Sequence, residues 1–580
     1  MSAATHPDPA RPDTDDDPEL ASERAHLTAS RAALRAMRAN VLGLEAMGGD
    51  PVSTEYLKAD LHRRAEALRD DPRAPLFFGR LDRTSGETFH VGRRHVHDAA
   101  GDALVIDWRA PVSRAFYRAT RADPMEMDRR RRFGCSGGDL TGYEDEDLTS
   151  GGPDPGRSRI LIEEIERPRV GPMRDVVATI QPEQDDIVRA PADVSVCVQG
   201  APGTGKTAVG LHRIAYLLYA HAERMRRGGV LVIGPNPAFL GYIRHVLPAL
   251  GEAGVAQTTL AGLVARVPVR GTDTPEAARI KGDARLAEVL HRALWNTIRE
   301  PDEALVLPRG ARRWRVPAYE LSGLITELRG RGVAFGSGRT LLAGRIAHVV
   351  LTRMEQAGEA CDDRTHDAVA RSRPVRALVD RIWPRADPKR LVFRLLADPA
   401  ALAEAAAGLL EPTEQAAIAW PKPPRGPGSA RWTAADAVLI DEAAGLIERE
   451  PSLAHIVVDE AQDLSPMQCR AIGRRCVSGS VTVLGDIAQA TTPSAGRDWP
   501  TTLRHLGKTD ALHEELRQGY RVPRQILDFA ARLLPHIAPE LLPPASVREM
   551  AGALHVRRVD DVPAAAVREA VAALAEPGSV

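Results

Sequence analysis

Gly200-Ala-Pro-Gly-Thr-Gly-Lys-Thr207, preceded by the β-branched run Val194-Ser-Val-Cys-Val198 and followed by a helical pattern from Ala208 to Tyr219, decides the fold. The spelling G-x-x-x-x-G-K-[ST] between a strand and a helix is that of a phosphate-binding loop. Gly200, Gly203 and Gly205 let backbone N–H groups turn inward around a polyphosphate, with Ala201, Pro202 and Thr204 completing the loop, and the helix N-terminus adds partial positive charge. Lys206 is expected to reach the β- and γ-phosphates and the Thr207 hydroxyl to ligand Mg²⁺.

Outward from this loop, Val230-Leu-Val-Ile233 reads as a second buried strand ending in Gly234-Pro-Asn-Pro237, as a parallel sheet with ligand-facing loops requires. Two later stretches compete for the carboxylates that handle a metal ion. Val438-Leu-Ile-Asp-Glu442 continues in helical rhythm and is expected to be an amphipathic helix. Ile456-Val-Val-Asp-Glu-Ala-Gln-Asp463 is the better strand, with Asp459 expected on Mg²⁺ and Glu460 orienting or deprotonating the attacking water. Val481-Thr-Val-Leu484 then ends in Gly485-Asp-Ile-Ala-Gln489, where Asp486 and Gln489 could sense the γ-phosphate. In Leu516-Arg-Gln-Gly-Tyr-Arg521, Tyr520 suits stacking on adenine and Arg521 suits pairing with the γ-phosphate. Upstream, Gln184 in Ile180-Gln-Pro-Glu-Gln184 could meet the edge of adenine.

At 580 residues the chain should form several domains of roughly 100–200 residues each. A net charge of −1 gives no global basic field, so any nucleic-acid surface must be local. The five cysteines form no C-x-x-C pair, which speaks against a disulfide framework or a zinc knuckle and fits a reducing compartment. The acidic N-terminus lacks an apolar leader, and no apolar run is long enough for a bilayer, so a cytoplasmic protein without membrane contact is expected; a monomer is expected as well.

Residues 1–16 read as a disordered tail. In 17–71, Leu20, Leu27, Leu34 and Val41 fall seven apart, Gly48-Gly-Asp-Pro51 breaks the pattern, and Leu57, Leu61 and Leu68 resume it, which predicts an antiparallel helical hairpin, packed or projecting. Residues 72–170 read as a small β-rich region and linker. Short antiparallel strands are expected from Pro72 to Val112, a solvated or phosphate-facing patch at Arg129-Arg-Arg-Arg132, and a loop from Gly134 to Gly156. Residues 171–259 and 451–510 form the two halves of one nucleotide-binding lobe around a helical insertion, 260–450, and 511–580 begin a second lobe.

Together, Gln184, Gly200–Thr207, Asp459-Glu-Ala-Gln-Asp463, Gly485-Asp-x-x-Gln489 and Tyr520-Arg521 resemble the motif series of superfamily 1 helicases of the UvrD/Rep kind. The helix pair, Asp107-Trp-Arg-Ala-Pro111, Leu211-His-Arg213 and Trp432-Thr-Ala-Ala-Asp436 narrow the resemblance to the HelD family, including its HelR-type members. The resemblance implies an α/β fold with a RecA-like lobe, an N-terminal coiled-coil hairpin, and an incomplete second RecA-like lobe. It also implies an ATPase using ATP and Mg²⁺ that binds core RNA polymerase and releases it from stalled or inactive complexes; HelR-type relatives are linked to rifamycin displacement. A DNA helicase or repair translocase is the alternative reading, with DNA as partner, and a nucleotide-binding form poor in hydrolysis is the third.

Three departures from the family shape these expectations. Ala490-Thr-Thr-Pro-Ser-Ala-Gly-Arg-Asp-Trp499 replaces an aromatic, base-stacking stretch, which favours polymerase remodelling over unwinding, since stacking is worth roughly 1–3 kcal/mol per base. Only Glu448 to Ala454 separates the Leu-Ile-Asp-Glu helix from the Asp459 strand, so a long main-channel loop is not expected there. The chain ends at Val580, where the family continues with a further arginine facing the γ-phosphate, so ATP binding is expected to survive better than turnover.

Overall fold

The computed structural model describes residues 17–45, 50–150, 158–166, 177–244, 246–250, 252, 254–493, 496, 498–548, 554 and 556–574. The expected tail (1–16), the Gly48-Gly49 break and parts of the linker lie outside them. No helix among the described residues is long and apolar enough to cross a membrane.

The helical hairpin is packed at its base and projecting at its tip. Helix Pro18–Gly43 starts under Asp17, whose carboxylate accepts from Glu19 N at 2.9 Å and Leu20 N at 3.4 Å, satisfying donors the helix cannot. Its seven-residue stripe, Leu20, Leu27 and Leu34, is buried against Leu76, Phe77, Val96, Val105, Phe133 and Leu140. Past that base Leu42 and Leu44 are exposed, as are Val52 and Tyr56 on the returning helix, Pro51–Ala67. Arg38 ties the two helices, donating from Nε to Ala65 O at 3.0 Å.

The hairpin rests on a six-stranded sheet built from β1 (Phe77–Arg83), β2 (Thr88–Gly92), β3 (Val96–His97), β4 (Ala103–Asp107), β5 (Met127–Ser136) and β6 (Asp139–Asp147), in the order β3-β4-β2-β1-β5-β6. Three expectations are corrected here. The strands before Val112 are not all antiparallel: β2 and β4 run parallel, Val91 opposite Ile106, because the short β3 intervenes and turns the chain back. The Gly134–Gly156 stretch is not a loop throughout. Gly137 and Gly138, both at positive φ, form a two-residue hairpin turn, and β6 follows.

That turn, together with a one-residue register shift between Gly134 and Cys135, sets Arg129 opposite Asp147, Arg130 opposite Glu146, Arg131 opposite Asp145 and Arg132 opposite Glu144. Arg129–Arg132 is therefore no open phosphate-facing patch. Arg129 pairs with Asp82 at 2.6 Å, Arg130 with Glu146 at 2.6 Å, and Arg131 with Asp145 at 2.6 Å, Glu23 at 3.1 Å and Glu19. Arg132 lies 4.8 Å over the Phe116 ring.

The second sheet is laid down by β7 (Val196–Gly200), β8 (Val230–Gly234) and β9 (Ala256–Thr259) before the chain leaves for the insertion, which holds a ribbon of β10 (Leu305–Arg309) and β11 (Arg312–Val316) among its helices. The chain returns with β12 (His455–Val458), β13 (Ser480–Gly485) and β14 (Leu512–Leu516). All six strands are parallel in the order β14-β7-β13-β12-β8-β9, consistent with a Rossmann- or RecA-like lobe. β14 lies within the segment expected to open a second lobe, yet forms an edge of this sheet. Beyond it, β15 (Gln518–Gly519) and β16 (Ala545–Ser546) make a small parallel pair.

One face of the parallel sheet shares a single core with the N-terminal sheet, in which Val198, Leu211 and Ile214 join Phe78, Trp108 and Phe116. Asp107-Trp-Arg109 forms the joint. Arg109 pairs with Asp107 at 2.7 Å and Glu252 at 2.7 Å, and Arg189 donates to the Trp108 carbonyl at 2.7 Å. The insertion has its own core, including Leu290, Phe335, Trp383 and Trp432, and reaches the lobe through Met467 and Ala471. Val438–Glu442 is helical as expected, within Ala434–Ile447, but buried on nearly every side instead of amphipathic. Asp441 and Glu442 are neutralised there by Arg475 at 2.8 Å, Arg266 at 2.9 Å, Arg470 at 2.7 Å and Arg474.

Candidate functional site

The site is assembled at the carboxyl ends of β7, β12 and β13, which lie near one another although far apart in sequence. β7 delivers Gly200, and the loop closes with Gly203 at φ +79° and Gly205 at φ +90°, conformations that side-chain-bearing residues resist. Gly205 caps helix Lys206–Ala220. Thr204 folds its hydroxyl onto Ala201 O at 2.8 Å, and Lys206 Nζ turns back to Gly200 O at 2.5 Å. The loop thus satisfies its own lysine, a charge that any phosphate entering the cavity would attract away.

Asp459 follows β12, and its Oδ2 accepts the Thr207 hydroxyl at 2.6 Å, joining loop and carboxylate across the sheet end. Burial pushes the Asp459 carboxyl up to about 6, the Thr207 hydrogen bond opposes this, and the Glu460 charge adds to the rise. A buried carboxylate short of positive charge, beside a hydroxyl oxygen, is a donor set that suits a hard divalent cation. Glu460 sits at φ +53°, a left-handed conformation costly for a side-chain-bearing residue, and holds its carboxylate to Gln462 Nε2 at 2.7 Å.

A polar relay spans the strand ends beyond Glu460. Gln462 Oε1 accepts from Asp486 N at 3.1 Å, and Asp486 accepts from Gln489 Nε2 at 2.6 Å and from Gln199 Nε2 at 2.7 Å. Gln199 in turn accepts from Ile487 N at 3.0 Å and from the Trp499 indole at 2.9 Å. Gln199 and Trp499 did not stand out as site residues in the sequence. A glutamine inside an otherwise apolar buried strand was the available signal, since a buried amide needs partners.

Tyr520 and Arg521 reach the loop from β15: Tyr520 N donates to Gly203 O at 2.9 Å, and Arg521 is exposed beside Gly203. Gln184 is buried under the loop, donating to Thr204 O at 3.1 Å and accepting from Gln181 N at 3.1 Å, so its amide here braces the loop. The expected residues therefore lie around the phosphate loop and the neighbouring strand ends, Gln489 on Asp486 and Gln184 beneath the loop. Arg213 holds the scaffold: fully buried, it donates to the carbonyls of Ile187, Ala190, Pro191 and Val194 between 2.7 and 3.1 Å, and burial lowers it to about 10. Beside it His455, bonded to Ser480 Oγ at 2.8 Å, is driven down to about 3 by burial and by Arg213.

Residues 20–158 match the family model described as the N-terminal domain of DNA helicase IV HelD. No curated protein matches the chain.

Proposed function

Starting from a chain that carries a HelD N-terminal domain, and is thus helicase-related, we propose that it is an ATP-driven motor of the superfamily 1 kind, which binds core RNA polymerase and frees it from stalled or inactive nucleic-acid complexes. The junction of Thr207 with Asp459 at 2.6 Å carries this reading, because it joins a phosphate loop to the carboxylate a nucleotide-bound Mg²⁺ needs. Lys206 would exchange the Gly200 carbonyl for phosphate oxygens, and Thr207 and Asp459 would hold Mg²⁺, which when bound would neutralise negative charge on the nucleotide's phosphates. Glu460, fixed by Gln462, accepts the proton of the attacking water. Gln489 reports the γ-phosphate through Asp486, and Arg521 offsets the charge that builds there. Tyr520 stacks on adenine, with Gln184 at its edge once the amide exchanges partners.

The polymerase half of the proposal draws on the hairpin, whose exposed tip residues Leu42, Leu44, Val52 and Tyr56 contribute nothing to the core beneath it. A strand-tracking DNA translocase fits less well. Trp499, the one aromatic of its loop, is buried with its indole on Gln199 and offers no face to a base.

The test measures ATP turnover and co-elution with core RNA polymerase for the intact chain and for Glu460→Gln. The intact chain should co-elute with polymerase and hydrolyse ATP, and Glu460→Gln should keep both nucleotide and polymerase binding while losing about 10²–10⁴ in turnover. A chain that ignores polymerase but hydrolyses ATP on single-stranded DNA overturns the polymerase reading. Equal turnover in the variant overturns the role of Glu460.

A further inference from the structure

The insertion's ribbon reads Leu305-Val-Leu-Pro-Arg-Gly-Ala-Arg-Arg-Trp-Arg-Val316, with four arginines and no acidic residue. Its register pairs Leu305 with Val316, Val306 with Arg315, Leu307 with Trp314, Pro308 with Arg313 and Arg309 with Arg312. Strand alternation sends Leu305, Leu307, Trp314 and Val316 into the insertion core and leaves Val306, Pro308, Arg313 and Arg315 on the outer face, all exposed. Gly310, at φ +60°, helps turn the ribbon at its tip.

Arg312 is engaged within the insertion, donating to Ala357 O at 3.4 Å and lying 5.9 Å over the Trp314 ring, whereas Arg313 and Arg315 are not. Arg312 lies 3.6 Å from Glu359. Asp362, whose carboxyl is held low first by hydrogen bonds from Thr365, also feels the charge of Arg309. Arg313 and Arg315 have no ion pair or side-chain hydrogen bond among the described residues. Folding alone does not require guanidinium groups there, since any polar residue would suit the solvent face of a two-stranded ribbon.

We propose that this ribbon is a contact for the phosphate backbone of double-stranded nucleic acid, with Arg313 and Arg315 on the phosphates of one strand. A two-stranded ribbon fits the major groove, about 12 Å wide. Side chains two residues apart on one face are separated by about 6.7 Å, about twice the 3.4 Å axial spacing of phosphates along one strand. The chain's net charge of −1 makes such a local patch necessary for any electrostatic grip on a polyanion. Recognition is of charge and shape, and the contact goes beyond the nucleotide site because it needs no ATP.

The test is fluorescence-anisotropy binding of the full chain to a labelled DNA duplex, without nucleotide and over a salt series, beside Arg313→Glu/Arg315→Glu and Arg313→Lys/Arg315→Lys. The charge reversal should weaken binding at low salt about tenfold or more and reduce the slope of log K against log salt by about 2, while the lysine variant stays near the intact chain. Thermal midpoints should agree for all three, as the changed side chains are exposed. An intact chain that does not bind the duplex overturns the proposal, as does an unchanged affinity and slope in the reversal. Loss of polymerase co-elution with duplex binding intact also overturns it, and makes the ribbon a protein-docking element.

Discussion

Arg129–Arg132 on β5 and Arg309–Arg315 across β10 and β11 are comparably rich in arginine and occupy opposite environments. The first run faces Glu144-Asp-Glu-Asp147 in register across a Gly-Gly turn, and its first three members pair with carboxylates. In the second, Arg313 and Arg315 face Pro308 and Val306 and Arg312 faces Arg309, none of which supplies a carboxylate. What a basic run does is thus decided by the strand hydrogen-bonded to it and not by its own composition. One run is spent on the fold, whereas Arg313 and Arg315 of the other are left for a partner.

The contrast can be broken most decisively at Arg131, whose side chain is 1% exposed beside Glu23 at 4%. Arg131→Ala removes the pairs with Asp145, Glu19 and Glu23, leaves Glu23 to Arg80 and His90, and should destabilise the N-terminal sheet by about 1–3 kcal/mol, read from its thermal midpoint. A loss below 1 kcal/mol would mean the cluster is decorative after all.

Acid should sharpen the same contrast with a smaller effect. Burial alone would raise the Glu23 carboxyl, but hydrogen bonds from His90 and Arg80 outweigh it and hold the group at about 2. The unfolded chain, with Glu near 4.3, binds more protons than the folded one in this range. The stabilisation is therefore present above about pH 5 and is lost as pH falls toward 2. His90, held below its ordinary value chiefly by burial, acts in the same sense below about pH 6.5. Stability measured against pH should fall on the acid side, Glu23→Gln should flatten the fall, and Arg313→Ser should leave it unchanged.

The smallest effect belongs to the ribbon. Arg313→Ser and Arg315→Ser should each change stability by no more than about 0.5 kcal/mol in urea denaturation, since neither side chain has an ion pair or hydrogen bond to lose among the described residues. A larger loss would show that the ribbon's charges already serve the fold.

The loop and its strand were readable because Gly200–Thr207 packs its chemistry into consecutive residues with a strand before and a helix after. Asp459 was readable because a β-branched run ends in it, and Val438–Glu442 was set aside correctly because its helical rhythm continues. The relay through Gln199, Gln462, Asp486 and Trp499 was not readable, since parallel pairing brings together segments separated by hundreds of residues. The pairing of Arg129–Arg132 was encoded, yet the glycines and acids of 134–156 resembled a loop, and the two-residue turn with the one-residue shift between Gly134 and Cys135 decides which charges meet.

The shared core beneath Asp107-Trp-Arg109 has a mechanical meaning. Phe78, Trp108 and Phe116 interlock with Leu211 and Ile214 of the helix that begins at Lys206, so the N-terminal sheet cannot tilt independently of the phosphate loop's own helix. The hairpin rooted on that sheet would carry any tilt of the sheet to its tip. Its first helix has 26 residues. It is therefore about 39 Å long, and a rotation of about 5° at its root would sweep the tip through about 3 Å. Sub-ångström adjustments at the phosphates would thereby become displacements of atomic size at the far end of the arm.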